Sequence, residues 1–293
     1  MITVDFQQFP LEPGMSLLDL GCGQGRHSFE ALRRGCEVTA FDASESDLAD
    51  VKTMFGAMEL EGEVGPGGKG DVLHGDARDM PFADNSFDRV IAAEILEHIH
   101  EDEQVMAEIF RVTKPGGLVA VSVPRNWPEQ VCWKLSDEYH EVEGGHIRIY
   151  KASELVERLQ RAGLELLGTH HAHALHAPYW WLKCAVGPDN ENVATKAYHK
   201  LLVWDLMKAP ALTRVTERAL NPVLGKSVVV YLRKPDPAGR VGEPDPAGRV
   251  GEPARASRIE TEATPDAESP QTSPGLDTSS ASAPDYSTGS TSV

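Results

Sequence analysis

Short apolar runs alternate with helix-like periodicity through the first half of the chain. Residues 16–20, 37–42, 71–74, 87–92 and 118–123 read as strands, bounded by glycine, proline or polar clusters. Residues 27–34, 44–60 and 102–112 read as helices. Ser44-x-x-Asp47 starts the second of these, because a serine oxygen can accept from a backbone N–H of the first turn. Residues 61–70 are glycine-rich and read as a surface loop without function. The turn Lys114-Pro115-Gly116-Gly117 precedes the fifth strand. Strands alternating with helices predict a parallel sheet covered on both faces.

The second half changes character. Ser153 caps a helix over 154–162 that stops at Gly163, and strands follow at 164–169 and 227–233. Between these strands lies an insertion, 171–226, with helix-like stretches at 179–186 and 193–208. Ala194, Ala197, Tyr198, Leu201 and Leu202 recur at helical spacing and predict the buried face of the latter. From Pro235 onward the pattern vanishes. Residues 235–293 are rich in Pro, Ser, Thr, Gly and Ala, and 235–243 recurs unchanged as 244–252. Such a segment cannot bury enough apolar surface to offset its ordering entropy, so it reads as a disordered acidic tail. The folded part is then 1–234, with a first half over 16–123 and a second over 124–234.

Charge narrows the partners. The chain has 28 basic and 45 acidic residues, a formal charge of −17. An acidic body is a poor polyanion binder, which argues against a nucleic-acid substrate. No apolar run approaches a membrane span, and no signal peptide opens the chain. Cys22, Cys36, Cys132 and Cys184 lack paired spacing, which predicts a reduced cytoplasmic setting.

The candidate chemistry begins where the first strand meets Gly21-Cys22-Gly23-Gln24-Gly25. Glycines let the backbone turn tightly and let a ligand approach it. Dinucleotide sites look similar but space their glycines differently, and Arg occupies position 26. Asp19, Asp42 and Asp76 stand at three successive strand ends, with no basic phosphate clamp. Such a site suits a cationic nucleoside without phosphate: Asp42 for a ribose diol, Asp76 for an exocyclic amine.

In this the stretch resembles the class I S-adenosylmethionine-dependent methyltransferases, the broad group that includes quinone-biosynthesis enzymes. Residues 17–25, Phe41-Asp42, 75–82, 87–98 and Lys114-Pro-Gly-Gly117 resemble the family's motifs in order. The resemblance implies a Rossmann-like α/β fold, a seven-stranded sheet of order 3-2-1-4-5-7-6 with strand seven antiparallel. It implies S-adenosylmethionine as cofactor, with Asp19, Gly21, Cys22, Gly23 and Gly25 near its methionine portion. Asp42 would take the ribose, Asp76 and Ala77 the adenine, and Glu94 would shape the sulfonium pocket. The family commonly covers its substrate with N-terminal helices. Only about 15 residues precede Ser16 here, so the insertion is the expected cover.

Glu94-x-x-Glu97-His98 resembles the metal site of small-RNA 2′-O-methyltransferases and some quinone O-methyltransferases. The reading adopted is no metal, with Glu94, Glu97 and His98 as the alternative ligand set, sharing one face if helical. The cluster His170, His171, His173 and His176 reads as a partly exposed strand end, with His171 and His173 on one face. Tyr139, His140 and His146 are candidates for a base serving the acceptor. All five Trp lie after residue 123, and Tyr179-Trp180-Trp181 is the densest patch. It suits a small or lipid-like acceptor, and leaves open a peripheral membrane contact through 178–226. The oligomeric state is open. The competing functions are a catalytically silent methyltransferase-like binding protein and a nicotinamide-dependent oxidoreductase.

Overall fold

The computed structural model describes residues 2–139, 145–187, 192–208 and 210–237. Seven strands form one sheet: β1 (Ser16–Leu20), β2 (Glu37–Asp42), β3 (Lys69–His74), β4 (Phe87–Ala93), β5 (Thr113–Pro124), β6 (Glu165–Ala172) and β7 (Ser227–Arg233). Their order is β3-β2-β1-β4-β5-β7-β6. β1 to β5 are parallel, and β7 runs antiparallel to both β5 and β6. This is the Rossmann-like arrangement the resemblance implies.

The helices are α1 (Arg26–Arg33), α2 (Glu45–Leu60), α3 (Asp102–Val112), α4 (Asn126–Leu135), α5 (Ala152–Arg161), α6 (Ala177–Val186), α7 (Val193–Lys208) and α8 (Ala211–Leu224). Ser44 caps α2 as its spacing predicts, its hydroxyl accepting from the Asp47 N–H. Successive strand residues feed opposite faces of the sheet. Leu17, Ile91, Ala120 and Val229 enter one core, while Leu18, Val90, Val119 and Val230 enter the other. Burial on both faces explains why these strands are continuous apolar runs.

Several expectations shift. β3 starts at Lys69, and β5 at Thr113, so the Lys-Pro-Gly-Gly sequence lies inside the strand, in the irregularity where pairing with β4 passes from Phe87 with Thr113 to Arg89 with Leu118. Neither α4 nor α8 was expected. On α7 the inward face is Thr195, Tyr198, Leu202 and Asp205; Ala194 and Ala197 are exposed and Leu201 is 49 % exposed. Apolar residues surround this helix, so periodicity alone did not fix its rotation. The short N-terminal segment also belongs to the fold. Thr3 N–H donates to His27 Nε2 at 3.2 Å, and Asp5 N–H to the Tyr231 hydroxyl at 2.7 Å.

Candidate functional site

The carboxyl ends of β1 to β4 open into a cleft of 680 Å³, of a size suited to a small-molecule ligand. Gly21, Gly23, Asp42, Asp76, Ala77 and Glu94 line it. Gly21 has φ +68°, and a Cβ there would stand 2.6 Å from Ile95 Cδ1. Gly23 has φ +49°, and a Cβ there would meet only open space, so the missing side chain leaves room on the cleft side.

Asp42 closes β2 and ties the site together. Its Oδ2 accepts from Gly23 N–H at 2.8 Å and its Oδ1 from Ser44 N–H at 2.9 Å. One carboxylate thus holds both the glycine loop and the entry to α2. Asp76 accepts from Arg78 Nε and Nη2, at 3.0 and 2.6 Å, and Arg78 Nη1 reaches Glu101 at 2.9 Å. The guanidinium holds the Asp76 carboxyl below its usual range. Arg78 and Glu101 both line the cleft, and sequence reasoning missed them.

Three of the expected cofactor residues are not among those that line the cleft. Asp19 is buried behind the cleft wall, where its Oδ2 accepts from Ser28 N–H (2.9 Å) and Ser28 Oγ (2.6 Å), capping the first turn of α1. Burial pushes its carboxyl up to about 6. Cys22 turns into the core beside β1, and Gly25 accommodates Phe29 at the start of α1. None of the three lines the cleft, because the strand end and helix start around them pack inward.

Glu94 has φ +59°, a conformation rare outside glycine. Ser122 of β5 holds it there: Ser122 Oγ donates to Glu94 Oε1 at 2.8 Å, and Glu94 N–H donates to Ser122 O at 2.9 Å. The segment 96–98 is a single 3-10 turn rather than an α-helix, so Glu94, Glu97 and His98 share no helical face. Instead the fold brings His146 to Glu97 and His98, with one ligand atom from each within 4.8 Å of the others.

Glu97 is 0 % exposed, and neither carboxylate oxygen has a hydrogen-bond partner among the described residues. Burial, reinforced by Glu94, raises its pKa well above the usual value. His98 Nδ1 lies 3.2 Å from Gly145 O, and His146 Nδ1 lies 2.6 Å from Glu129 Oε1. Gly145 O and the Glu129 carboxylate can each accept from the Nδ1–H beside it, the outward contact that commonly orients a metal-ligating imidazole. The donor set fits a divalent cation. Glu129, 1 % exposed on α4, carried no sequence signal for this role.

Tyr139 also meets Glu129, its hydroxyl 3.5 Å from Oε2, and burial pushes its phenol up. Neither Tyr139 nor His146 lines the cleft. His140 lies outside the described residues.

A second cavity of 420 Å³ adjoins the first at Glu94, which lines both. Its walls are Tyr179 and Trp180 of α6, and His199, Leu202 and Val203 of α7. Arg26 and Lys226 also line it, and the Lys226 ammonium stands 5.4 Å from the Trp180 ring centre. His173 and His176 line the same chamber; burial lowers His176 to about 4 and holds His173 well below the usual imidazole value. The expected exposed strand end is corrected here. β6 stops at Ala172, His173 takes φ +68° and is mostly buried, so His171 and His173 share no strand face. His170 stacks on Tyr231 at 5.5 Å.

Comparison with known proteins agrees with this geometry. The methyltransferase domain family matches residues 18–121. A sterol 24-C-methyltransferase of Gibberella zeae is 31 % identical over 190 residues, 58 % of this chain and 46 % of that one. Methyltransferase GfsG of Streptomyces halstedii is 31 % identical over 169 residues, 55 % of this chain and 57 % of that one. The chain spans about half the length of these curated relatives. A SAM-dependent methyltransferase from Methanosarcina mazei shares the fold, with TM-score 0.53 at 17 % identity, covering 80 % of this chain and 100 % of that one. Family match, strand order and the glycine loop agree, and residues 18–121 carry a class I S-adenosylmethionine-dependent methyltransferase domain.

Proposed function

We propose that the chain transfers a methyl group from S-adenosylmethionine to a small, largely apolar acceptor. The observation that carries this reading is the pair of cavities meeting at Glu94. The polar cleft suits the donor: Gly23 leaves room, Asp42 offers a carboxylate to a ribose diol, and Asp76 to an exocyclic amine. The chamber under α6 and α7 suits the acceptor, with Trp180, Tyr179 and Leu202 as apolar wall and Arg26 and Lys226 as polar anchors. Relatives that include a sterol methyltransferase support a lipid-like acceptor.

When bound, S-adenosylmethionine supplies an electrophilic methyl group on a sulfonium that leaves as a neutral thioether. The chain's own work is positioning and exclusion of water. Ser122 fixes Glu94 at the junction, the glycine loop is held by Asp42, and α6 and α7 close the acceptor side. We further propose that Glu97, His98 and His146 hold a divalent cation, which would polarise an acceptor oxygen. In this reading His146 is a ligand oriented by Glu129, and Tyr139 packs against the same carboxylate, so neither serves as a base.

The test of the donor site is titration of S-adenosylhomocysteine. Asp42→Ala should weaken its binding by about 1–3 kcal/mol, the scale of a lost hydrogen bond to a charged group. Undiminished affinity in the variant, or preference for a nicotinamide dinucleotide, would sink the reading.

A further inference from the structure

The outer surface of the insertion carries a pattern that neither cavity uses. α8 has no buried residue, and its apolar positions Leu212, Val215, Ala219 and Val223 recur at helical spacing with every one exposed. An isolated amphipathic helix would turn such a stripe to the core. On α7 the face opposite the buried stripe shows Leu201, Trp204 and Met207, exposed by 49, 47 and 75 %. Charge adds a second, independent sign. Residues 192–224 contain five bases, Lys196, Lys200, Lys208, Arg214 and Arg218, and two acids, Asp205 and Glu217. Both acids turn inward, at 2 and 12 % side-chain exposure, and both lie within 4 Å of Arg214. In a chain of charge −17, this segment therefore presents a basic surface.

We infer that α7 and α8 dock on an anionic lipid surface, with Trp204, Met207, Leu212 and Val215 entering the interface. This rests on the acceptor reading above and names where that acceptor comes from. Apolar side chains interleaved with lysines suit an interface in which rings and alkyl groups reach the acyl boundary while ammoniums stay with the phosphates. Lys200 and Lys208 flank Trp204 one turn to either side. The inner side of α7, through His199, Leu202 and Val203, lines the acceptor chamber. A helix that rests on lipid outside and on the chamber inside joins the two. No helix among the described residues is long and apolar enough to cross a membrane, so the contact is peripheral.

The test is co-sedimentation of the full chain with phosphatidylcholine vesicles, with and without phosphatidylglycerol. Binding is expected only with the anionic lipid, with a blue shift of tryptophan emission that Trp204→Phe removes. Lys200→Gln and Lys208→Gln should each weaken binding roughly fivefold, the weight of one surface charge near anionic lipid. Met207→Ser combined with Leu212→Ser and Val215→Ser should weaken it about tenfold or more. Titration of S-adenosylhomocysteine on the same proteins reads the donor site separately and should be unchanged. Equal binding to neutral vesicles, indifference to these variants, or a dimer in equilibrium sedimentation that the triple variant dissociates would overturn the inference. The dimer outcome would assign the face to a second copy of this chain.

Discussion

At the scale of single residues, the site is built from carboxylates in different states. Asp42 is a hydrogen-bond hub for backbone N–H groups, Asp76 is held ionised by Arg78, and Asp19 is buried behind the wall with a raised pKa. Position at a strand end is a local property, so all three were legible as acids near the cleft. Which of them faces it was not, because that depends on how α1 packs. Glu97 is the clearest case. A buried carboxylate without partners is costly unless it is protonated or ligates a cation. A ligand must be deprotonated, so cation binding releases the Glu97 proton and weakens as pH falls. Mn²⁺ titration should therefore raise the melting temperature at pH 8 more than at pH 6. Glu97→Gln should abolish the rise while leaving S-adenosylhomocysteine affinity unchanged. An identical thermal shift in the variant would exclude this cation site.

At the scale of elements, α6 and α7 of the insertion wall the second cavity. The insertion's two neighbouring tryptophans divide the work. Trp181 Nε1 donates to Pro128 O at 3.0 Å and its ring lies 5.4 Å from Trp127, fastening α6 to α4. Trp180 instead lines the chamber. Trp181→Ala should cost roughly 1–3 kcal/mol of stability in chemical denaturation, less than a fully buried Trp because the residue is partly exposed. Trp180→Ala should keep the melting temperature near that of the parent and lose binding of an apolar ligand such as a long-chain alcohol. If the two variants behave alike, α6 serves one structural purpose and the chamber loses its support. The aromatic patch was legible as a patch. The split between anchor and wall was not, since adjacent helical positions differ by about 100° and only α4 decides which faces it.

For the whole molecule, Lys234, the last residue of the expected folded part, is tied into the body. The Lys234 ammonium donates to Asn85 Oδ1 and Phe110 O, both at 2.8 Å, and its backbone pairs with Gly116 and Gly117. We propose that the chain from Ala238 onward is dispensable, on the composition of that segment. A chain ending at Pro237 should keep the melting temperature and the S-adenosylhomocysteine affinity of the full chain, whereas one ending at Arg233 should melt several degrees lower. A drop of many degrees for the longer truncation would mean that the tail packs on the body.

The sequence by itself determined the sheet, its strand order through the family resemblance, and the ring of acids and glycines at its carboxyl end. Those features rest on short-range rules: alternating faces, turn chemistry, and acids placed one strand apart. Tertiary structure decided what lies between distant segments. It set the meeting of Glu97 and His98 with His146 and Glu129, the Arg78 bridge to Glu101, and the rotation of α7. Each of these joins residues that no periodicity relates. Their partners are chosen by packing, and packing is settled only when the whole sheet and its cover are in place.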